Sequence, residues 1–333
     1  MPFVSVIVPC YNEQTTIQLL LEAIYQQSFP RAQMEVVIAD GMSTDQTRNE
    51  IEEFRSNHPD LLVHVVDNPE RDIPSGLNRA IGASQGEIIV RVDAHSKPSR
   101  EYVKRSVEAL QANLGDNVGG VWEIQPGADT WVARSIALAA GHPLGVGDAL
   151  YRFTEQSSEV DTVPFGAFQR SLVDRIGGFD ESLLTNEDYE FNTRIRLNGG
   201  RVWLDPKIRS GYFARKNLSL LAKQYWRYGF WKFRMLQRYP KTLRWRQALP
   251  PLFVASLIGL AILSIFWEVA LKLFFLEAIV YFGILLAASV PLAWKNKDFR
   301  ILLGVPAAVA VMHTCWGSGF IWSGFRSILH KAK

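Results

Sequence analysis

The stretch EIIVRVDAHSKPS, residues 87–99, decides how the N-terminal part of the chain is built. Ile88-Ile89-Val90-Arg91-Val92 is a short, β-branched-rich run of the kind that fills a largely buried strand. It stops in Asp93-Ala94-His95. In an open α/β sheet the C-terminal ends of strands are where ligands meet the protein. Asp93 and His95 are two residues apart, so on extended chain they point the same way and offer a carboxylate and an imidazole to one divalent ion. The plainer alternative is a turn or a helix cap, the commoner use of an Asp after a strand.

Three more runs share the pattern: FVSVIV at 3–8, MEVVIA at 34–39 and LLVHVV at 61–66. Stretches with helical spacing separate them at 13–27, 45–56 and 75–84. That alternation predicts an α/β fold, a parallel sheet with helices on its faces. Each strand runs into polar groups, Tyr11-Asn12-Glu13, Asp40-Gly41 and Asp67, and strand ends rich in carboxylates suit a cation with a polar ligand. Asn12, Asp45 and Asp67 also fit plain turn and cap roles. A G-x-x-x-x-G-K-[ST] phosphate loop and a G-x-G-x-x-G fingerprint are both missing, which argues against a P-loop NTPase or a dinucleotide dehydrogenase. A nucleotide diphosphate held through a metal remains consistent with the pattern.

The 333 residues are 48% hydrophobic and 12% aromatic, with a net charge of +3. Up to about Arg246 charged and apolar residues mix as in a soluble domain; from Ala248 to Phe325 long apolar runs dominate, as in a membrane-embedded region. Segments 249–267 and 273–294 are long enough to span, with an i,i+4 pair, Glu268 and Lys272, at the turn between them. Glu277 either pairs with Lys272 or faces protein. Lys295, Lys297 and Arg300 return the chain to the cytoplasm by the positive-inside rule. Segment 301–325 either spans, leaving the basic tail RSILHKAK outside, or re-enters as a hairpin that keeps it inside. Between 201 and 248 there are thirteen Lys or Arg and one acid, Asp205. This suits an anionic membrane surface or a phosphate-bearing lipid better than nucleic acid, for which no module is present. Within it, LSLLAKQYWRYGFWKFRML at 218–236 interleaves aromatics and cations as an interfacial helix does. Two cysteines, Cys10 and Cys315, leave neither a disulfide framework nor a Cys-rich zinc site and agree with a cytoplasmic soluble part. The N-terminus begins a strand at once, without the pattern of a cleaved signal.

After residue 160, Gly166 and Gly177-Gly178 mark turns, and NEDYEFNTRIRLNGG reads as a helix with Asn186 as cap and Glu187 and Asp188 in its first turn. Carboxylates there either complement the helix dipole or include a catalytic base held rigidly at a helix start.

Five ordered motifs, VSVIVPCYNE, IADGMSTDQT, SGLNRAIGASQGEIIVRVDAH, GGFDESLLTNEDYEF and QYWRY, resemble the family 2 glycosyltransferases of the GT-A fold. More narrowly they are similar to the bacterial membrane-anchored glucosyltransferases of succinoglycan-type exopolysaccharide assembly. The resemblance implies a GT-A-like, Rossmann-type, mostly parallel sheet over 1–216, with a nucleotide-sugar half (1–97) and an acceptor half (98–216). An amphipathic interface segment (217–247) and a transmembrane region (248–333) follow.

It also implies roles. Pro9, Tyr11 and Glu13 line the base and ribose pocket, Asp40 receives the uracil edge, and Asn78 and Arg79 lie along the diphosphate or ribose. Asp93 and His95 occupy the family's D-x-D position, Asp93 on the nucleotide sugar and metal, His95 as metal ligand; imidazole tilts the choice from Mg²⁺ toward Mn²⁺. Asp188 is the general base and Glu187 its helper. Gly166, Gln224, Arg227 and Tyr228 border acceptor and diphosphate, with Tyr228 standing where the Q-x-x-R-W motif of processive synthases has Trp. The function implied is inverting transfer of a hexose, glucose expected, from a UDP-sugar to a lipid-linked polyprenyl diphosphate saccharide at the cytoplasmic face of the inner membrane. A polyprenyl-phosphate glycosyltransferase or processive synthase is the alternative, and a non-catalytic nucleotide-binding membrane scaffold is the reading from outside the enzymes.

Overall fold

Because β-branched runs with apolar residues on both sides cannot face water on either, the four N-terminal runs stack side by side under helices. In the computed structural model, which describes residues 2–331, they are β1 (Val4–Cys10), β2 (Met34–Asp40), β3 (Leu62–Asp67) and β4 (Ile88–Arg91). They lie in the order β3-β2-β1-β4, all parallel, with Val6 opposite both Val36 and Val90. The crossovers are α1 (Ile17–Tyr25), α2 (Thr47–Asn57) and α3 (Ile73–Ala83). Asp72 caps α3 by accepting from the Ser75 N–H at 2.9 Å. Period-two alternation divides the strand side chains between two cores. Val6, Val8, Val36 and Ile38 pack with Leu20, Leu21 and Phe54 on one face; Ile7, Val37 and Ala39 pack with Leu77, Phe168 and Phe191 on the other.

Beyond β4 the sheet becomes mixed. After β5 (Lys97–Pro98) and α4 (Tyr102–Gln111) come β6 (Asn117–Gln125), β7 (Ser158–Glu159), β8 (Ala167–Gln169) and β9 (Val202–Phe213). Beyond β4 the order is β8-β6-β9-β5, with β7 also on β9. The β4/β8, β6/β8, β5/β9 and β7/β9 pairs are antiparallel. Helices α7 (Arg170–Ile176) and α8 (Glu187–Leu197) complete this part. These elements form one compact unit, running through Glu123 and resuming over Leu150–Tyr212.

A second unit takes Ile124–Ala149 and the chain from Phe213 on. It contains α5 (Trp131–Ala140), α6 (Pro143–Val146), α9 (Leu218–Arg238), α10 (Trp245–Leu263), α11 (Glu268–Asn296) and α12 (Ile301–Lys331). Three of its helices, Trp245–Leu263, Glu268–Asn296 and Ile301–Leu329, are long and apolar enough to cross a membrane. Exposed large apolar side chains such as Leu252, Phe275, Ile279 and Leu303 lie along them. The segment at 301–325 is part of one continuous helix and has no re-entrant turn. Its glycines serve packing: a Cβ on Gly319 would lie 2.3 Å from the Trp226 carbonyl oxygen of α9, and one on Gly317 2.4 Å from the Pro250 carbonyl oxygen of α10. Lys272 pairs with Glu268 at 2.9 Å. Glu277 faces protein, accepting from the Ser256 hydroxyl of α10.

Close approach in the sheet gives a direct test. A Cβ at Gly120 of β6 would lie 1.6 Å from the carbonyl oxygen of Ile208, whereas one at Gly82 of α3 meets nothing within 4 Å. Gly120→Ala should therefore destabilise by about 3 kcal/mol or more, the upper end for overpacking. Gly82→Ala should gain about 0.5–1 kcal/mol from helix propensity. Denaturant unfolding of both variants in detergent checks the pair, and equal midpoints would contradict it.

Candidate active site

The site is built at the end of β4. With β1 on one side and β8 on the other, this strand can present groups only beyond Arg91. Arg91 is itself 2% exposed. Its backbone N–H donates to the Gly166 carbonyl at 2.9 Å. Its Nη2 donates to Glu187 Oε1 at 2.8 Å and to Asp93 Oδ1 at 3.2 Å. The Phe165 and Phe179 rings stand 5.9 and 5.8 Å from its Cζ. Burial alone would lower the pKa of the guanidinium, but the charges of Asp93, Glu187 and Asp188 outweigh it and hold the group charged, with its pKa raised. One cation thus joins the strand end to the first turn of α8.

That first turn is held from several directions. Asn186 sits at the N-cap position with φ of 69°, in the left-handed region, and its side chain makes no capping bond, unlike the expected Asn cap. Arg194 bonds Glu190 at 2.6 Å and donates to the Ile176 and Gly178 carbonyls at 2.7 and 2.6 Å, tying α8 to the 176–178 turn. The Tyr189 hydroxyl donates to Asp161 at 3.0 Å, and Asn192 is linked to Asn117 at 2.7 Å and Thr162 at 3.0 Å. Asp188 is only partly covered at its surface, but its carboxyl is crowded by protein. Desolvation, then the neighbouring Glu187 charge, push it up to about 7, against the opposing pull of Arg91. Such a carboxylate is poised to take a proton near neutral pH.

On the other side of Asp93 lie the ends of β1 and β2. Glu13 Oε1 is 3.0 Å from His95 Nδ1, and Glu13 also accepts from the Thr16 hydroxyl. Pro9 lies within β1 beside Ala39. The Tyr11 ring is 42% exposed and covers Gly41, where an added Cβ would come within 3.1 Å of it. Asp40 is fully buried, and both its oxygens already have donors: Ser43 Oγ at 2.5 Å on one, Ser43 N at 3.0 Å and Arg48 Nε at 2.6 Å on the other. These three donors use three of the carboxylate's roughly four acceptor sites. Among the described residues no three His, Cys, Asp or Glu side chains converge as a ready-made metal cage. The donor set of Asp93 and His95 fits a divalent ion that draws its remaining ligands from a bound diphosphate and water.

The other residues singled out from sequence fall in three places. Asn78 exchanges two hydrogen bonds with the Phe179 backbone, at 2.8 and 2.9 Å, and clips the loop before α8. Arg79 pairs with Glu70 at the surface, at 2.9 Å. Gly166, at φ of 96°, leaves room for Asn117, whose Oδ1 would be 2.4 Å from an added Cβ. Gln224, Arg227 and Tyr228 belong to α9 of the second unit, where Gln224 donates to the Tyr228 hydroxyl at 2.8 Å. Arg91, the residue that joins Asp93 to Glu187, was read in the sequence only as part of a strand. The signal was there: a cation in an otherwise apolar buried run needs a partner.

Residues 5–177 match the family model for Glycosyl transferase family 2. The chain belongs to glycosyltransferase family 2. This glycosyltransferase is 30% identical over 320 residues to the succinoglycan biosynthesis protein ExoA of Rhizobium meliloti (strain 1021), covering 95% of this chain and 93% of that protein. It is 24% identical over 326 residues to the dolichyl N-acetyl-alpha-D-glucosaminyl phosphate 3-beta-D-2,3-diacetamido-2,3-dideoxy-beta-D-glucuronosyltransferase of Methanococcus voltae, covering 96% of each. In fold it is similar to the mannosyltransferase PcManGT from Pyrobaculum calidifontis, solved in complex with GDP-Man and Mn²⁺. There the TM-score is 0.66 at 23% identity, over 96% of this chain and 87% of that one. S. aureus TarS 1–349 in complex with UDP-GlcNAc gives a TM-score of 0.51 at 18% identity, over 96% of this chain and 91% of that one. These structural likenesses identify the sheet as the mixed α/β type of the GT-A fold.

The raised Asp188 carboxyl has a consequence for the stability of the glycosyltransferase. A carboxyl whose pKa is raised by folding binds its proton more tightly in the folded chain, so its ionisation removes stability as pH climbs from the ordinary carboxylate range toward about 7. Asp188→Asn abolishes that loss. In thermal unfolding with chelator present, the variant should melt above the parent at about pH 8, and the difference should close toward about pH 4. An Asp188→Asn variant that melts below the parent at the higher pH would contradict the environment described.

Proposed function

We propose that the protein is a membrane-anchored inverting glycosyltransferase that moves a hexose, glucose being the expected one, from a UDP-sugar to a polyprenyl diphosphate-linked saccharide. The observation that carries this reading is the Asp188 carboxyl, with its raised pKa, on a helix start tied through Glu187 and Arg91 to Asp93. A sugar hydroxyl is a poor nucleophile at neutral pH, so Asp188 takes its proton as it attacks the anomeric carbon, and Glu187 helps orient the acceptor. Attack on the face opposite the departing nucleoside diphosphate inverts that centre. Pro9, Tyr11 and Glu13 line the nucleoside pocket, whose Gly41–Ser43 turn is fixed by Asp40. Asp93 and His95 would hold a divalent ion, Mn²⁺ favoured over Mg²⁺, which supplies charge dispersal on the leaving diphosphate. Acceptor class and setting are supported by the ExoA relative, named for succinoglycan biosynthesis, and by the M. voltae relative, whose name gives a dolichyl sugar phosphate as acceptor.

Asp188→Asn keeps shape and removes the base, so transfer should fall roughly 10²–10⁴-fold, the usual range for general-base catalysis. Nucleotide-sugar binding, measured by calorimetry, should hardly change. Chelator should abolish transfer and Mn²⁺ restore it. A near-normal Asp188→Asn rate would remove the base from the mechanism and point to an acceptor already anionic, a bare polyprenyl phosphate.

Orientation follows from charge. The basic residues between 201 and 248 and those at 295–300 flank α10 and α11, and by the positive-inside rule they support a topology with both clusters and the catalytic unit on the cytoplasmic side of the inner membrane. A membrane-impermeant thiol reagent applied outside intact cells should miss Lys297→Cys and reach Val269→Cys. Labelling in the reverse sense would overturn this topology.

A further inference from the structure

Arg91 stands out from the rest of β4. Ile88, Ile89 and Val90 are buried apolar residues that meet the needs of the sheet, and nothing in the strand pairing calls for a cation beside them. Two of its three guanidinium nitrogens, Nε and Nη1, are buried without a hydrogen-bond partner. An arrangement that leaves buried donors unmade is costly, and what Arg91 keeps in exchange is its pair of contacts to Glu187 and Asp93. The rings of Phe165 and Phe179 pack near the fork, their centroids 5.9 and 5.8 Å from Cζ. Glu187 is the first residue of α8, so the ion pair ties that turn directly to the strand end.

We infer that Arg91 is a positioning residue for transfer: it sets one separation between Asp93, on the nucleotide-sugar side, and the Glu187-Asp188 turn, on the acceptor side. This rests on the reading under Proposed function. Arg91 touches no reacting atom. It acts by holding two carboxylates, contributed by distant parts of the chain, in the register that lets the hydroxyl meet the anomeric carbon. Both bonds leave one nitrogen, Nη2, whose hydrogens are held in the guanidinium plane, whereas a lysine ammonium turns on a flexible stem. Register errors matter steeply at a reacting centre.

The test uses the full chain in detergent with Arg91→Lys, Arg91→Met, Glu187→Gln and the Arg91→Met/Glu187→Gln double variant. UDP binding is followed by calorimetry, and UDP release is followed from a panel of nucleotide sugars with a lipid extract as acceptor source. Arg91→Lys keeps a buried cation and is the variant chosen to fold. Its kcat should fall about 100-fold, the scale of a 1 Å misplacement, with UDP affinity and donor KM moving far less. In the double variant the losses should be less than additive, since Glu187→Gln removes the charge that Arg91→Met leaves uncompensated. A purely structural role would lower the melting temperature while leaving the kcat of the folded fraction intact, and an Arg91→Lys enzyme with parental kcat overturns the inference alone. A parent chain that releases UDP or another nucleotide from no sugar in the panel overturns the proposed function and this inference with it.

Discussion

A guanidinium buried beside three carboxylates is the constraint on which the catalytic unit is organised. Taking one charge out of water costs several kcal/mol even after relaxation, and the pair survives only where geometry supplies partners. Around Arg91 that geometry closes into a ring. Its backbone N–H meets the Gly166 carbonyl, Gly166 makes room for Asn117, Asn117 bonds Asn192 of α8, and the first residue of α8 returns to the Arg91 side chain. Phe165 and Gly166 both take positive φ, 61° and 96°, to turn the chain between β4 and Asn117.

The EDYE run shows how environment assigns roles to like residues. Glu190 is fully buried and paired with Arg194, which in turn satisfies carbonyls of the preceding turn; that carboxylate belongs to the scaffold. Glu187 is held by Arg91. Asp188, with Glu187 as its near neighbour, keeps partial exposure and its pKa is raised. Spacing separates these cases: Asp188 lies about 100° round the helix from Glu187, and Arg194 lies one turn beyond Glu190.

The first four strands and their crossover helices were legible because long β-branched runs alternating with amphipathic stretches admit few other packings. The short strands were not. β5 and β7 are two residues each and β8 three, too brief for any period to show, and their antiparallel pairing depends on partners far along the chain. Asp93, Glu187 and Asp188 were visible as carboxylates at a strand end and a helix start, but what joins them was hidden, because an ion pair across the fold leaves no local pattern. The C-terminal segment was ambiguous for a different reason. Pro306 and the GSG run look like breakers, yet α12 continues through Pro306, which forgoes the one bond its N–H would have made, and Gly317 and Gly319 lie at its contacts with α10 and α9.

Those glycines also change what the basic, aromatic helix of the second unit can be. An interfacial helix held only by its amphipathic face slides and rotates on the bilayer surface. α9 meets α12 backbone to backbone: a Cβ on Gly229 would lie 2.0 Å from the Trp316 carbonyl oxygen, and Gly319 answers it from the other helix. Small residues at both positions allow an approach that larger side chains forbid, the same logic by which helices associate inside membranes. The Phe233–Phe320 edge contact, with ring centroids 5.2 Å apart, then fixes rotation as well as distance. The aromatic and basic residues of α9 therefore stand on an element whose rotation is already set, with Arg234 stacked over Phe230 at 5.0 Å and Gln224 bonded to Tyr228 one turn on. Side chains oriented in advance lose less freedom when a ligand or headgroup meets them, so the ordering cost falls on folding instead of on binding.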